Sequence, residues 1–503
     1  MSRSSRFTLT AVVFGFLILG TVLFFAAEPF RHKLPAAVSA AHPDQHNALK
    51  QNENTAPPAP VAVPAGMTVH IAQKGESLPA LVHTYLPHTK YMTGSELEAA
   101  IRQANSGLKG IWLKPGQSLL IPGYESEVRE SPIVVPKDFE VRAIYLTGTM
   151  AGSAKGLQLI RQWRKLGGNS VVFDVKDSDG LVNVPFKHRL LQAEAKYKAE
   201  SPLAGRVSPP IRNLPKLVRF LHQQNLHVIA RIAIFRDEYL VTHHPELAVH
   251  SRKSGGPWRE NGKLVWTDPS DPEVQAYNID LARYSAQSGV DEIQFDYVRF
   301  PAEGDQKDAQ FAFEKLHPQW QRADVITDFL ASAHKQLQPL GVLFSLDVFG
   351  VMAWQRPIDL AHTGQDIVRM ARECDVLSPM VYPSHFFAME GYLNPGDAPE
   401  HFIGESMERF HDITKDSGVV LRPWLQAFGW RTKSYSPQYI VTQVYVARQK
   451  GGVGFMFWNA RNDYSKPFAA MPEMRAKPGY YFRGDELPDR GKTASQMASR
   501  GAG

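Results

Sequence analysis

The chain of 503 residues contains one cysteine, Cys374. A lone thiol excludes an intrachain disulfide and any zinc or iron–sulfur site built on cysteines; it reads as a small buried side chain. From residue 67 onward His-x-x-x-His and His-Glu-x-x-His are also missing. His243 and His244 are adjacent, so they cannot share a helix face. This argues against a metal-dependent polysaccharide deacetylase, which would bring two histidines and an aspartate to the ion. No Gly-rich phosphate loop occurs, so nucleotide chemistry has no support. No metal and no cofactor is expected. The net charge is +6, yet basic residues are spread and acidic ones interleave with them. That pattern gives nucleic acid no footprint. It reads as solvated surface with mild attraction to anionic envelope polymers.

What is present begins with an apolar run. Phe7 to Ala27 carries no charge, and its length suits the ~20 residues a helix needs to cross the hydrocarbon. Arg3 and Arg6 precede it, which favours a cytoplasmic N-terminus. Residues 1–33 are therefore read as a signal anchor with its helix at 7–27. The alternative is a cleaved signal peptide, with Val38-Ser39-Ala40 as the cleavage site. Both readings export the rest, and the anchor predicts a single-pass bacterial inner-membrane protein with its bulk in the periplasm or outside the cell. Residues 34–66, rich in Pro and Ala, read as a disordered spacer, and the polar, Gly-rich residues 483–503 as a disordered tail.

Residues 67–123 predict a small β-α-α-β unit. Thr68-Val69-His70-Ile71 alternates like a strand, and Ser77 can cap a helix entered at Leu78-Pro79. Leu97, Ala100, Ile101 and Ala104 recur at helical spacing near 94–105, and Ser118 to Ile121 closes the unit as a strand. This stretch resembles the lysin-motif (LysM) family at VHIAQKGESL (69–78), at Asn105 and at LKPGQSLLIP (113–122). The resemblance implies binding of N-acetylglucosamine-containing glycans such as peptidoglycan, in a groove between loops. The span YLPHTKYMTG between the helices is longer than the family usually carries. A unit that only mediates protein contacts is the other reading.

From 140 to 482 the chain holds eight apolar, β-rich runs: 142–146, 170–175, 227–235, 292–298, 343–349, 376–382, 419–427 and 454–458. Helical patterns at 155–165, 215–224, 272–288 and 322–338 alternate with them. Continuous apolar strands are those of a parallel sheet buried on both faces. Eight strand–helix repeats predict an α/β fold, a (β/α)8 TIM barrel.

In such a barrel the active groups stand at the C-terminal ends of the strands. Those ends are polar: Asp174 on strand two, Arg231 on three, Asp296 and Arg299 on four, Asp347 on five, Tyr382 and His385 on six, Gln426 on seven, Trp458 and Asn459 on eight. A carboxylate in an apolar strand is costly unless paired or used, and three near one end suggest a shared site. Glycoside hydrolysis needs two carboxyls flanking the scissile bond. Asp296 is the candidate nucleophile or stabiliser beside Arg231 or Arg299. Asp347 is the candidate general acid/base, with Asp174 in reserve should Asp347 prove remote. Arg231, Arg299, Tyr382, His385, Gln426, Trp458 and Asn459 are candidates for binding the sugar. Structural pairing of Asp174 with Arg231 or Lys176, and of Asp296 with Arg231 or Arg299, remains open, as does helix capping by Asp347.

The barrel resembles a bacterial family assigned to the glycoside hydrolases, most of whose members have no characterised activity. The likeness lies in FDVKDSDG (173–180), ARIAIFRD (230–237), WTDPSDPEV (266–274), VDEIQFDYVRFP (290–301), SLDVFG (345–350) and SPMVYPSHF (378–386). It implies a sugar-cleaving TIM barrel. Asp296 also sits where α-amylase and α-galactosidase barrels keep their nucleophile, although Gln294 replaces the amylase Arg and Asp347 the strand-five Glu. The expected function is a glycosidase, retaining or transglycosylating, acting on a cell-envelope or extracellular polysaccharide, with peptidoglycan-type glycan among its partners. The alternative is a non-catalytic glycan-binding envelope protein with a degenerate barrel.

Overall fold

The computed structural model describes residues 63–484, apart from 107, 128, 193–208 and 388. The expected span at 7–27, the cleavage site and nearly all of the spacer and tail lie outside the described residues. Among the described residues no helix is long and apolar enough to cross a membrane.

The first elements are a strand at Met67–Ile71, helices at Leu78–Tyr85 and Gly94–Ala104, and a strand at Ser118–Pro122. The two strands pair antiparallel, Met67 opposite Pro122. Ser77 caps the first helix by accepting from Ala80 N at 3.3 Å. Thr93 and Glu96 close a reciprocal capping box on the second. The expected order β-α-α-β is the observed one. Asn105 locks it, since its side chain donates to Ile101 O and Leu120 O and accepts from Leu120 N. Leu78, Leu81, Leu97, Ile101, Leu119 and Ile121 form its core.

Eight parallel staves then close into a barrel: Val141–Leu146, Ser170–Lys176, His227–Ala233, Glu292–Asp296, Leu343–Phe349, Val376–Met380, a split seventh, and Gly454–Trp458. Stave eight pairs with stave one, Phe455 opposite Arg142, which completes the ring. Apolar runs interrupted by few polar residues satisfy both the axis and the helix layer at once.

The differences from expectation are local. The seventh run was expected as one strand; it pairs as Val420–Leu421 and Trp424–Gln426, because Pro423 has no N–H for the ladder. Stave four stops at Asp296 rather than Val298. The next residue, Tyr297, has φ +53°, a left-handed conformation that an aromatic side chain rarely adopts and that ends pairing. The four helices match the expected patterns to within a residue, at Ala154–Lys165, Leu214–Gln223, Pro272–Gln287 and Arg322–Leu337.

Residues 124–138 connect the small unit to the barrel, and much of this stretch is packed. Val135 and Phe139 are buried with Val141, Ala143, Val172, Ile229 and Met456 along the barrel axis. The Phe139 ring lies 5.6 Å from that of His227, the first residue of stave three. Ile133 N donates to Asp291, which also accepts from Val228 N and pairs with His222 at 3.0 Å. The segment thus stoppers the N-terminal end. Glu130 and Glu125 pair with Arg219 on the helix Leu214–Gln223, and Asn213 and Lys216 of the same helix region donate to Pro87 O and Leu86 O. The described residues from Gly66 onward form one compact unit, so the small β-α-α-β unit is bracketed to the barrel by hydrogen bonds and ion pairs.

Behind the stopper lies a buried charge pair. Arg422 Nη1 donates to both oxygens of Glu292 at 2.8 Å, and His227 Nε2 sits 3.1 Å from one of them. Burial opposes the Glu292 charge, but Arg422 and the His227 hydrogen bond outweigh it and hold the carboxyl at about 2. A depressed folded value stabilises above the unfolded value of 4.5 and is lost as pH falls through about 2. Stability followed by urea unfolding should therefore drop across that acid window. Glu292→Gln should flatten the drop and cost about 3–5 kcal/mol at pH 7, because Arg422 is left buried without a counter-charge.

Candidate active site

At the C-terminal end of the barrel three carboxylates converge on one guanidinium. Register sets Asp174 beside Arg231 and Ala233 beside Asp296, while Phe295 lies opposite Leu346. Alternation then turns Arg231, Asp296 and Asp347 to the same interior. Arg231 Nη1 reaches Asp174 Oδ1 at 2.5 Å, and Nη2 and Nε reach Asp296 Oδ2 at 2.6 and 3.2 Å. Arg231 Nε also lies 3.8 Å from Asp347 Oδ2. One atom therefore has an Asp296 oxygen at 3.2 Å and an Asp347 oxygen at 3.8 Å. Those two carboxyls are no more than about 7 Å apart, below the ~9.5 Å upper limit for paired carboxyls that flank a glycosidic bond.

The acids differ in what their oxygens do. Asp174 is fully buried; Tyr145 Oη donates to Oδ2, and Oδ1 is held by Arg231. Burial pushes it up to about 7, against the pull of Arg231. Asp296 is 6% exposed; Oδ2 is held by Arg231 and Oδ1 accepts from Tyr297 N at 2.6 Å. The left-handed turn at Tyr297 is what aims that N–H. Asp347 is 1% exposed; Oδ1 accepts from Trp424 Nε1 at 2.7 Å and Oδ2 has no hydrogen-bond partner among the described residues. Burial, and next the negative charge of Asp296, push its carboxyl well above the usual range. The two carboxyls differ: both Asp296 oxygens are held by donors, whereas Asp347, pushed up by burial, keeps one oxygen free of donors among the described residues. Asp174 has both oxygens committed to the wall, so it is the lesser candidate for contact with a substrate.

Over the acids lie aromatic rings. Trp458 is half-buried; its ring stacks at 5.8 Å on that of Tyr382 and stands 6.2 Å from Tyr145 and 5.6 Å from Phe428. Burial raises Tyr382 far above the ordinary phenol value, so it stays a donor. His385 lies among Tyr382, Phe428 and Trp430; burial and then Arg431 lower it to about 4, so its imidazole is neutral at pH 7.

Other expected sugar contacts have inward roles. The Arg231 guanidinium is occupied by Asp174 and Asp296, which makes it a positioning group. Gln426 is buried, accepting from Ser384 N and donating to Phe428 O and Thr432 Oγ1. Asn459 donates to Ala427 O and accepts from Arg461 N. Both amides brace the rim loops. Arg299 lies between the rings of Trp266 and Phe349, at 4.6 and 4.5 Å. Lys176 is fully buried outside this cluster, donating to Asp237 and Asn278 at 2.8 Å. Tyr145 and Trp424 were missed: inside apolar strands they read as core, and only their polar handles near the strand ends mark them.

The family model described as "Putative glycosyl hydrolase domain" matches residues 143–464. Among solved structures the chain is similar to a hypothetical protein from Ruminiclostridium thermocellum ATCC 27405, at 34% identity over 41% of this chain and 97% of that one, TM-score 0.33. It is also similar to the PgaB (BpsB) glycoside hydrolase domain from Bordetella bronchiseptica, at 15% identity over 69% and 99%, TM-score 0.48. A third is the glycoside hydrolase domain of a PelA variant from Pseudomonas aeruginosa, at 12% identity over 64% and 96%, TM-score 0.36. No match is found among curated proteins.

Proposed function

Since this chain belongs to the family whose model matches residues 143–464, we propose that it is a glycosidase acting on a cell-envelope or extracellular polysaccharide by paired-carboxyl catalysis. The observation that carries this reading is the pair formed by Asp296 and Asp347, which meet at one Arg231 Nε and of which Asp347 is pushed well above the usual carboxyl range, first by burial. Asp296 attacks the anomeric carbon or stabilises its developing positive charge. Asp347 Oδ2 protonates the leaving oxygen. Arg231 and Tyr297 N hold Asp296 in one orientation, and Trp424 does the same for Asp347. The test is to incubate the exported part with a panel of envelope glycans, including peptidoglycan strands, and to read products by mass spectrometry. Absence of any product across the panel sinks the reading.

The proton on Asp347 gives a pH prediction. A value raised on folding means the acid is present at low pH and lost as pH rises through the folded value. So kcat should fall on the alkaline side, and that limb should vanish in Asp347→Asn. The same variant should lose about 10²–10⁴-fold in kcat on natural glycans and far less on aryl glycosides, whose leaving groups need no proton.

A second reading has an observation of its own. Both acids are almost fully buried beneath Tyr382 and Trp458, and a mouth so crowded suits a protein that binds glycan without cleaving it. The β-α-α-β unit at 67–123 then carries the main activity, as a LysM-like glycan module. In either case residues 7–27 anchor the chain in the inner membrane with its bulk outside the cytoplasm. Recovery of the full chain in the soluble fraction after cell lysis counts against the anchor.

A further inference from the structure

Arg299 follows Asp296 by three residues, at the same end of the barrel, and is 8% exposed. The other buried arginines among the described residues each have a carboxylate: Arg142 has Glu140, Arg231 has Asp174 and Asp296, and Arg422 has Glu292. Arg299 forms no ion pair among the described residues. Its Nη1 donates to Phe300 O at 3.1 Å. Its charge otherwise rests against aromatic faces: Trp266 at 4.6 Å, Phe349 at 4.5 Å and Tyr297 at 5.5 Å. Glu260, Asp296 and Glu303 act on it from longer range, without an ion-pair contact among the described residues, and the Oδ2 of Asp296 already belongs to Arg231.

A buried charge without a counter-charge is unfavourable, and ring faces return only part of the lost hydration. Arg236 adds a second cation on the far side of the stave-three end. Its guanidinium lies 5.9 Å from the same Tyr297 ring, donates to Ser178 O at 2.8 Å, and has no carboxylate partner among the described residues. Two cations thus share one aromatic ring beside the candidate nucleophile. A guanidinium fork matches a carboxylate in geometry as well as charge.

We propose that Arg299, with Arg236, forms an anion subsite at the barrel mouth, and that the glycan this protein takes carries carboxylates on its rings, as a hexuronic-acid polymer does. The proposal rests on the glycan reading of the same mouth. The subsite holds the ring next to the scissile bond by its carboxylate, so a neutral polymer of the same backbone loses that anchor.

The test uses the full chain in affinity gels cast with polygalacturonan or with the same polymer after carboxyl reduction. Wild type should bind the acidic polymer about tenfold more tightly than the reduced one. Arg299→Gln should bring the two within about twofold, Arg236→Gln should lower the ratio less, and the distant exposed Lys335→Gln should leave it unchanged. Equal retardation in both gels overturns the proposal. So does a folded Arg299→Gln, judged by its thermal midpoint, that keeps the preference. If Arg299→Gln does not fold, a full preference in Arg236→Gln decides against it. Binding that survives carboxyl reduction but falls when ester sulfate or phosphate is removed from a natural glycan also overturns the carboxylate assignment. Product release is read separately. An Arg299-dependent preference without turnover keeps the subsite and removes the hydrolase; turnover of neutral glycans alone does the reverse.

Discussion

Asp296→Asn is expected to lower kcat by at least about 10³-fold while leaving folding and glycan retention intact. The asparagine keeps the shape of the side chain, and its amide oxygen can still accept the Tyr297 N–H that now binds Oδ1 at 2.6 Å. What disappears is the negative charge that faces the reacting sugar. The change also removes the charge that helps hold Asp347 protonated, so the alkaline limb of the pH profile should move to lower pH in whatever activity remains. That shift separates a reacting carboxylate from a structural one: a purely structural Asp296 would give a destabilised protein with an unmoved limb. Kinetics on the cleaved glycan, a thermal melt and a pH profile are the three measurements. A fully active, normally folded Asp296→Asn protein removes the catalytic assignment.

Arg231→Met should destabilise the barrel by about 3–5 kcal/mol in urea unfolding. Arg231 is the cation that Asp174 and Asp296 share, and both acids are nearly or wholly buried. Methionine fills much of the volume but leaves two carboxyls without a counter-charge. Adding Asp174→Asn should recover part of the loss, so the two changes couple in a double-mutant cycle. Arg231→Lys should fall between, because one ammonium cannot reproduce a fork that bonds Asp174 on one side and Asp296 on the other. If Arg231→Met unfolds like the wild type, the convergence of charges at this end of the barrel is not what holds the staves in register.

The staves were legible because a parallel barrel demands apolar residues on both faces, and runs such as SVVFDV and HVIARIAIF carry that demand openly. The positions of Asp174, Asp296 and Asp347 were legible for the complementary reason: charge inside such a run stands out. The pairing was not. Sequence spacing cannot say that Arg231 turns to both Asp174 and Asp296 and is therefore spent, nor that Gln426 and Asn459 brace loops. Those outcomes depend on how neighbouring staves stagger. The left-handed backbone at Tyr297 was hidden for a different reason, since an aromatic residue is the last type one expects there. The packed segment before stave one carried a usable sign in Ile133, Val135 and Phe139, which a solvated link would not need.

The stopper made by Val135 and Phe139 gives the barrel a closed floor. A barrel interior is filled with side chains rather than hollow, so nothing reaches Asp296 from below, and whatever meets that carboxylate has to arrive from the C-terminal rim.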